Sequence, residues 1–271
     1  MSVPTRVPVP SRSALRPERG VTQPPTARII SNKRPTHFLA LPIGHHAALR
    51  SSISSLTSAL LSDNPPIPGL DSSIIVPARR LHLTLGVMSL DLPEYPNLTL
   101  AAARQTLRAL QPRIHQLLQG ERLRVGLDRL DIMKPERGNP ERAHVLYVGP
   151  DLSSAAGHKL RMVCERIQQE FRTAGLLLDD RPLKLHCTIL NTVYRRPKPR
   201  GARQPFSYRA LLESETMRGM IAGPVQARRP VNVELGVWDI DELQICEMGS
   251  WGPEGEYVRV AGCDLSIPHA A

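Results

Sequence analysis

Aromatic side chains are few: three Phe, five Tyr and two Trp make up 4% of 271 residues, so a core has to be closed mainly by aliphatic packing. The four cysteines, Cys164, Cys187, Cys246 and Cys263, show no C-x-x-C spacing and follow no secretory leader. A reducing compartment, cytoplasmic or nuclear, is therefore expected, with no metal site and no cofactor. No apolar run approaches the roughly 20 residues of a membrane span, so a membrane partner is not expected. A nucleotidyl-lysine motif and a phosphate-cradling Gly-rich loop are both missing, which argues against ligase chemistry.

What is present is enough apolar residue, 41% of the chain, for one large domain or two intimately packed lobes. The net charge of +10 is unevenly spread. Residues 1–34 carry seven bases and one acid, residues 195–230 carry nine bases and two acids, and the rest of the chain is left at −3. Basicity confined to two segments suits contact with a polyanion and argues against a uniformly basic DNA-coating domain.

Residues 1–34 contain six prolines and little apolar periodicity, and read as a disordered basic tail. Their Arg-rich, acid-poor composition is shared with mitochondrial transit peptides, but the prolines oppose the amphipathic helix such signals use. Residues 35–265 form the folded domain, and 266–271 a second tail. Within the domain, Thr36 to Ile43 reads as a strand, and Leu49, Ile53, Leu56 and Leu60 mark a helix. Leu100 to Leu117 mark a second helix, which Pro112 is expected to kink or divide. Leu123 to Ile132 and Ala143 to Val148 read as paired strands. Ala156 to Phe171 read as a third helix, closed by Gly175. Residues 195–230 read as a long basic surface insertion with at most a short helix. Val231 to Trp238, Leu243 to Met248 and Tyr257 to Val260 resume strand character. The order strand, helix, strand occurs twice, so the fold class expected is α+β, with two similar halves.

Each half carries one His-x-Thr triplet, in Leu81-His82-Leu83-Thr84-Leu85 and Leu185-His186-Cys187-Thr188-Ile189. Nine His and twelve Thr would give about 0.4 such triplets by chance, so the flanks decide their meaning. In the first copy Leu81, Leu83, Leu85 and Val87 share one strand face, leaving Arg80, His82 and Thr84 on the other. In the second Leu183, Leu185, Cys187 and Ile189 share a face, leaving Lys184, His186 and Thr188 opposite. Two imidazoles flanking one ligand supply a general base and a general acid. The hydroxyls can donate to phosphoryl oxygens where charge accumulates. On this reading the two imidazoles face each other across a cleft as wide as one phosphate.

Thr36-His37-Phe38-Leu39-Ala40-Leu41-Pro42, Asp71-Ser72-Ser73-Ile74, the first triplet with Gly86, and Lys184 through Thr192 together resemble the two-histidine (2H) phosphoesterase superfamily, LigT-like or 2'-5' RNA ligase-like. Within it they are similar to the branch shared by the A-kinase anchoring protein 7-type domain and a subunit of the activating signal cointegrator complex. The resemblance implies a bilobal fold of two pseudo-symmetric lobes, with antiparallel sheets and packed helices around a central cleft. It also implies metal-independent hydrolysis of phosphodiesters in RNA, 2',5'-oligonucleotides or cyclic nucleotides. His82 and His186 become the acid and base, in an order the sequence does not assign, and Thr84 and Thr188 the phosphate donors. A non-catalytic subunit binding nucleotide, RNA or protein in an RNA or transcription complex is the alternative, and a monomer is expected. The cointegrator subunit carries an RNA-binding KH module before this domain. About thirty Pro-rich residues stand there in this sequence, so a role that depends on that module is not expected.

Further candidates each have a plainer reading. Arg80 and Lys184 can draw phosphates toward the cleft or be ordinary solvated bases at a strand entrance. Tyr194, Trp251 and Tyr257 can stack on a base, or Trp251 can cover the end of a sheet. Arg195, Arg196, Lys198, Arg200 and Arg203 can grip a nucleic-acid backbone or lie on a solvated loop. His37 and His144 belong in strands, where they can serve near the cleft or, the plainer reading, in packing; His45 and His46 open a helix, His115 and His158 lie on exposed helical faces, and His269 is in the tail.

Overall fold

A computed structural model of the chain describes residues 34–178, 182–221 and 229–266. The tails read over 1–34 and 266–271 fall outside these apart from Arg34 and Ser266, as do residues 222–228 of the basic segment. The elements are β1 (His37–Pro42), α1 (Ala47–Ser62), β2 (His82–Met88), α2 (Leu100–Leu118), β3 (Arg124–Gly126), β4 (Arg129–Ile132), β5 (Val145–Gly149) and α3 (Ala155–Thr173). They continue with β6 (Cys187–Asn191), α4 (Tyr208–Glu213), α5 (Glu215–Met220), β7 (Val231–Asn232), β8 (Val237–Asp239), β9 (Glu242–Glu247) and β10 (Arg259–Asp264).

Eight strands form one antiparallel sheet in the order β10-β9-β1-β2-β6-β5-β4-β7, beside a two-stranded sheet β3-β8. The expected α+β fold of two similar halves is present. β1-α1-β2 and β5-α3-β6 are the repeated strand-helix-strand units, and their second strands meet at the middle of the sheet. β2 and β6 thus join the two halves at one register pair, Leu83 opposite Cys187, beside a bridge between Ile75 and Leu190 and a 2.8 Å hydrogen bond from the Val76 amide to the Ile189 carbonyl.

Apolar side chains from all five helices, among them Leu49, Leu107, Leu160, Leu211 and Met217, join Leu41, Leu83, Leu85, Cys187 and Ile189 in one cluster. Each fully buried Leu or Ile contributes about 1.5–3 kcal/mol relative to exposure, and this burial fixes which face of β2 and β6 turns inward. A smaller cluster of Phe38, Ala40 and Cys246, with Val87 and Tyr257 against it, gathers separately.

The expected placement of Val87 beside Leu85 is corrected by a β-bulge. Leu39 pairs with Gly86 but Ala40 pairs with Thr84, so Leu85 is the extra residue and the alternation changes phase after it. Met88 then joins the main core and Val87 the small cluster. A matching shift occurs in β6. Leu146 pairs with Leu190 and Tyr147 with Thr188, which leaves Ile189 unopposed. Both bulges fall directly after the threonine of a His-x-Thr triplet.

Three other expectations differ from the structure. α2 runs through Pro112 undivided: Pro112 lies on the exposed side, where water can satisfy the carbonyl that loses its amide partner, while Ala103, Leu107, Leu110, Ile114 and Leu118 hold the opposite side in the core. The strand read over 123–132 divides into β3, paired with β8, and β4, paired with β5 and β7. The strand read over 231–238 divides likewise, with Gly236 at φ +86° between its parts. Finally, the segment from 195 to 221 is not a surface loop throughout. Phe206, Tyr208, Leu211 and Met217 are fully buried. With Leu212 also buried, the segment's charges hid five core residues whose spacing spans a turn and two short helices.

Phe206→Ala tests that last point. Deleting a buried Phe is expected to lower unfolding free energy by about 3–5 kcal/mol in a urea titration; a change under about 0.5 kcal/mol, as at exposed positions, would return the segment to the surface.

Candidate active site

Burial alternates identically through the two triplets. Leu81, Leu83 and Leu85 are buried with His82 and Thr84 half-buried; Leu185, Cys187 and Ile189 are buried with His186 and Thr188 half-buried. Because Leu83 stands opposite Cys187, antiparallel geometry one residue further out sets His82 opposite Thr188 and Thr84 opposite His186. All four polar side chains therefore share one face, the histidines on one diagonal and the threonines on the other. Diagonal positions of this kind are about 7–8 Å apart.

Both imidazoles are held the same way. His82 Nδ1 lies 2.6 Å from the Arg80 carbonyl oxygen, and His186 Nδ1 lies 2.7 Å from that of Lys184. A carbonyl only accepts, so each Nδ1 carries the proton and donates it, and each neutral ring presents Nε2 as a lone pair. Thr84 Oγ1 is 3.0 Å from His82 Nε2 and donates to it. Burial pushes the His82 imidazole down to about 4, the Arg80 carbonyl opposing and the nearby His186 adding to the shift. Burial also lowers His186, against the Lys184 carbonyl and with the Lys184 charge.

The walls are aromatic. Phe38 and Tyr257 lie 5.2 and 5.3 Å from the His82 ring, and Tyr147 lies 5.5 Å from the His186 ring. Tyr147 donates to Asp131 Oδ2 at 2.8 Å, and burial with that bond raises its phenol. Phe38 and Tyr147 were not singled out by sequence reasoning as site residues. The available signal was position alone, an aromatic on the strand next to each triplet. Gly149, the last residue of β5, has a physical reason to lack a side chain: a Cβ there would come within 2.8 Å of the Leu185 carbonyl oxygen, beside His186.

Of the five further candidates, four gather on the His82 side. The Arg80 guanidinium lies 3.2 Å over the Trp251 ring and 5.9 Å from the Tyr257 ring, and its Nε donates to the Gly255 carbonyl at 2.7 Å. The Tyr194 and Tyr257 hydroxyls are 3.4 Å apart. Trp251 remains 46% exposed. Lys184 stands on the other side, Nζ 4.5 Å over the Tyr147 ring. A cavity of about 540 Å³ opens on the first side, bordered by Phe38, Arg80, His82, Gln244 and Tyr257; His186 lies beside it on the next strand rather than on its wall.

The basic segment divides on inspection. Arg195 is buried against Asp71 and donates at 2.6 Å to the Gly69 carbonyl, so it is not available to grip a backbone: it ties the segment to the Asp71 turn. Arg203 donates to Asn191 and Thr192. Arg196, Lys198 and Arg200 are exposed. His144 bonds Thr192 and Glu136 at 2.8 and 2.7 Å, and His37 bonds Thr36. Neither reaches the triplets.

Residues 35–265 match the family model described as the AKAP7 2'5' RNA ligase-like domain. Activating signal cointegrator 1 complex subunit 1 of Mus musculus is 27% identical over 133 residues, covering 47% of this chain and 34% of that protein. The chain thus spans about a third of the length of that curated relative. Among solved structures, E. coli LigT complexed with 3'-AMP aligns over 85% of this chain and 98% of its own at 14% identity and a TM-score of 0.46. TT0787 of Thermus thermophilus aligns over 86% and 100% at 17% identity and 0.42. Among the described residues no helix is long and apolar enough to cross a membrane.

The depressed His82 imidazole has a measurable consequence. Its NMR titration is expected to have a midpoint near 4, well below the usual value of about 6.5. Above pH 6.5 the ring is neutral folded and unfolded. As pH falls from 6.5 toward 4 the unfolded chain binds a proton that the folded one refuses, so stability is lost across that window, by on the order of 3 kcal/mol at most. A His82→Gln variant should lack this part of the acid slope; an unchanged slope would contradict the burial of the ring.

Proposed function

Because the chain belongs to the AKAP7 2'5' RNA ligase-like domain family, and so to the 2H phosphoesterases, we propose that it is a metal-independent phosphodiesterase. Its substrates are phosphodiesters of RNA, 2',5'-oligonucleotides or cyclic nucleotides. The observation that carries the reading is the identical locking of two imidazoles on one sheet face, each with Nδ1–H on a carbonyl and Nε2 directed away from it.

A phosphodiester fits the diagonal between the two rings. One Nε2 accepts the proton of the attacking 2'-hydroxyl or water as the new P–O bond forms. The other ring, protonated, gives its proton to the leaving oxygen as the old P–O bond breaks. Thr84 turns its hydroxyl from His82 to a non-bridging oxygen, and Thr188 donates to the same phosphoryl group. The aromatic and Arg80 wall on the His82 side suits a nucleobase. Nuclear or cytoplasmic RNA is the expected setting.

A second reading has one observation in its favour: the mouse relative is named as a subunit of a complex. It makes the chain a non-catalytic module that keeps a nucleotide-sized cleft for binding, or joins a transcription or RNA-processing assembly.

The two readings separate on turnover of a panel of 2',5'- and 3',5'-linked oligonucleotides and cyclic phosphates in EDTA. Under the first, His82→Ala and His186→Ala each lower kcat by about 10²–10⁴-fold, and full activity in either variant would refute it. Affinity without turnover in the unchanged chain would establish the second.

The pH profile is a further test. The base works only when neutral and the acid only when protonated, so kcat/KM rises through one histidine and falls through the other, whichever holds which role. With His82 near 4 and His186 below its ordinary value, the maximum of kcat/KM is expected on the acid side of neutrality. An optimum above pH 8 would mean that other groups carry the protons.

A further inference from the structure

His45, His46 and Asp241 lie apart from the triplets, yet one ring nitrogen of each histidine and a carboxylate oxygen of Asp241 fall within 4.8 Å of one another. We propose that these three residues form a binding site for a zinc-class divalent ion at the rim of the cavity that contains His82.

The geometry supports a built site. His45 Nε2 and Asp241 Oδ2 are 3.3 Å apart, about the spacing of two ligand atoms around a tetrahedral zinc with bonds near 2.0–2.1 Å. His46 Nε2 lies 2.8 Å from the Asp239 carbonyl oxygen. Since a carbonyl only accepts, Nε2 carries the proton and Nδ1 keeps a free lone pair. A metal-binding histidine commonly has this outer contact, which fixes its tautomer and orients the ring. Asp239 is itself held by Arg122 and Arg124 at 2.7 and 2.8 Å, and the His46 ring packs on Trp238 at 5.4 Å.

The backbone on both sides is fixed. Gly44 donates to the Leu81 carbonyl at 2.9 Å, and a Cβ on Gly44 would lie 2.5 Å from the Arg79 carbonyl oxygen, so the turn carrying the two histidines sits tight against the residues before β2. Asp241 lies between β8 and β9, next to the buried Ile240, whose amide donates to Leu123 at 2.8 Å; the Asp241 carbonyl accepts from Leu265 at 2.7 Å. His45 and Asp241 are 43% and 49% exposed, so water can fill the remaining coordination positions. Two imidazoles and one carboxylate suit zinc rather than magnesium or calcium, which prefer all-oxygen sets. The ion would tie the start of α1 to the β8–β9 turn and take no part in the proton transfers proposed above.

The experiment uses the full chain, stripped with EDTA and freed of chelator, titrated with Zn²⁺ by calorimetry and with Co²⁺ followed by visible absorption. One saturable equivalent is expected, with Co²⁺ ligand-field bands and no comparable response to Mg²⁺. His45→Gln and Asp241→Asn should each weaken Zn²⁺ by about tenfold or more, while His82→Ala and His186→Ala leave it in place. No saturable binding, or binding that persists in the His45→Gln, Asp241→Asn double variant, overturns the site. So does binding lost in His82→Ala but kept in the double variant. Should the double variant not fold, Zn²⁺ protection of His45 and His46 from diethylpyrocarbonate in the unchanged chain, read by peptide mass, supports the site, and unprotected histidines refute it. None of these outcomes bears on phosphodiester turnover in EDTA.

Discussion

The inner strands of the two halves, β2 and β6, meet at a single register pair, Leu83 with Cys187, and the arrangement of the candidate site depends on it. Both side chains are fully buried, so each strand is held with its apolar face inward. A one-residue slip of either strand would send its histidine and threonine into the core and its apolar residues to the open face. The cost of burying an unpaired imidazole and exposing several aliphatic side chains is what sets the register. The polar diagonal of His82 and His186 is thus held in place by the directly opposed apolar pair beneath it.

The bulges at Leu85 and Ile189 complete that logic. Without them, the β1–β2 and β5–β6 ladders would carry the alternation of each triplet onward. With them, the pattern changes phase just past the bulged residue that follows each threonine, and Val87 moves to the small cluster that contains Phe38 and packs against Tyr257. A bulge also increases local twist. The recurrence of one irregularity at equivalent points in both halves is stronger internal evidence of their likeness than the triplets alone.

Much of this was legible from residue order. The matched flanks of the triplets gave the strand faces, because a period of two needs only local sequence. The helices read from Leu49, Leu107 and Leu160 were legible for the same reason. What escaped notice depends on distant partners. Nothing local distinguishes Leu85 as a bulged residue, since its displacement is defined by Leu39 and Ala40 across the ladder. Arg195 reads as one more base in a basic run until Asp71, far away in sequence, is placed against it. Phe206 and Tyr208 were masked by the charges around them, and Tyr147 by lying on an unremarkable strand. Composition reports the average character of a segment, whereas burial is decided residue by residue.

The aromatic walls also bear on the protonation of the pair. Phe38, Tyr257 and Tyr147 cover part of the rings, and burial favours the neutral imidazole in both. In the proposed reaction one ring has to carry a proton, which the free site disfavours. An anionic phosphodiester between the rings reverses that balance, because its charge stabilises an adjacent imidazolium. Substrate binding and protonation of the acid would then be coupled, each favouring the other. The partial burial that lowers the histidines in the free chain strengthens the same charge pair once substrate enters. Two neutral imidazoles at rest are therefore consistent with acid-base chemistry in the occupied cleft.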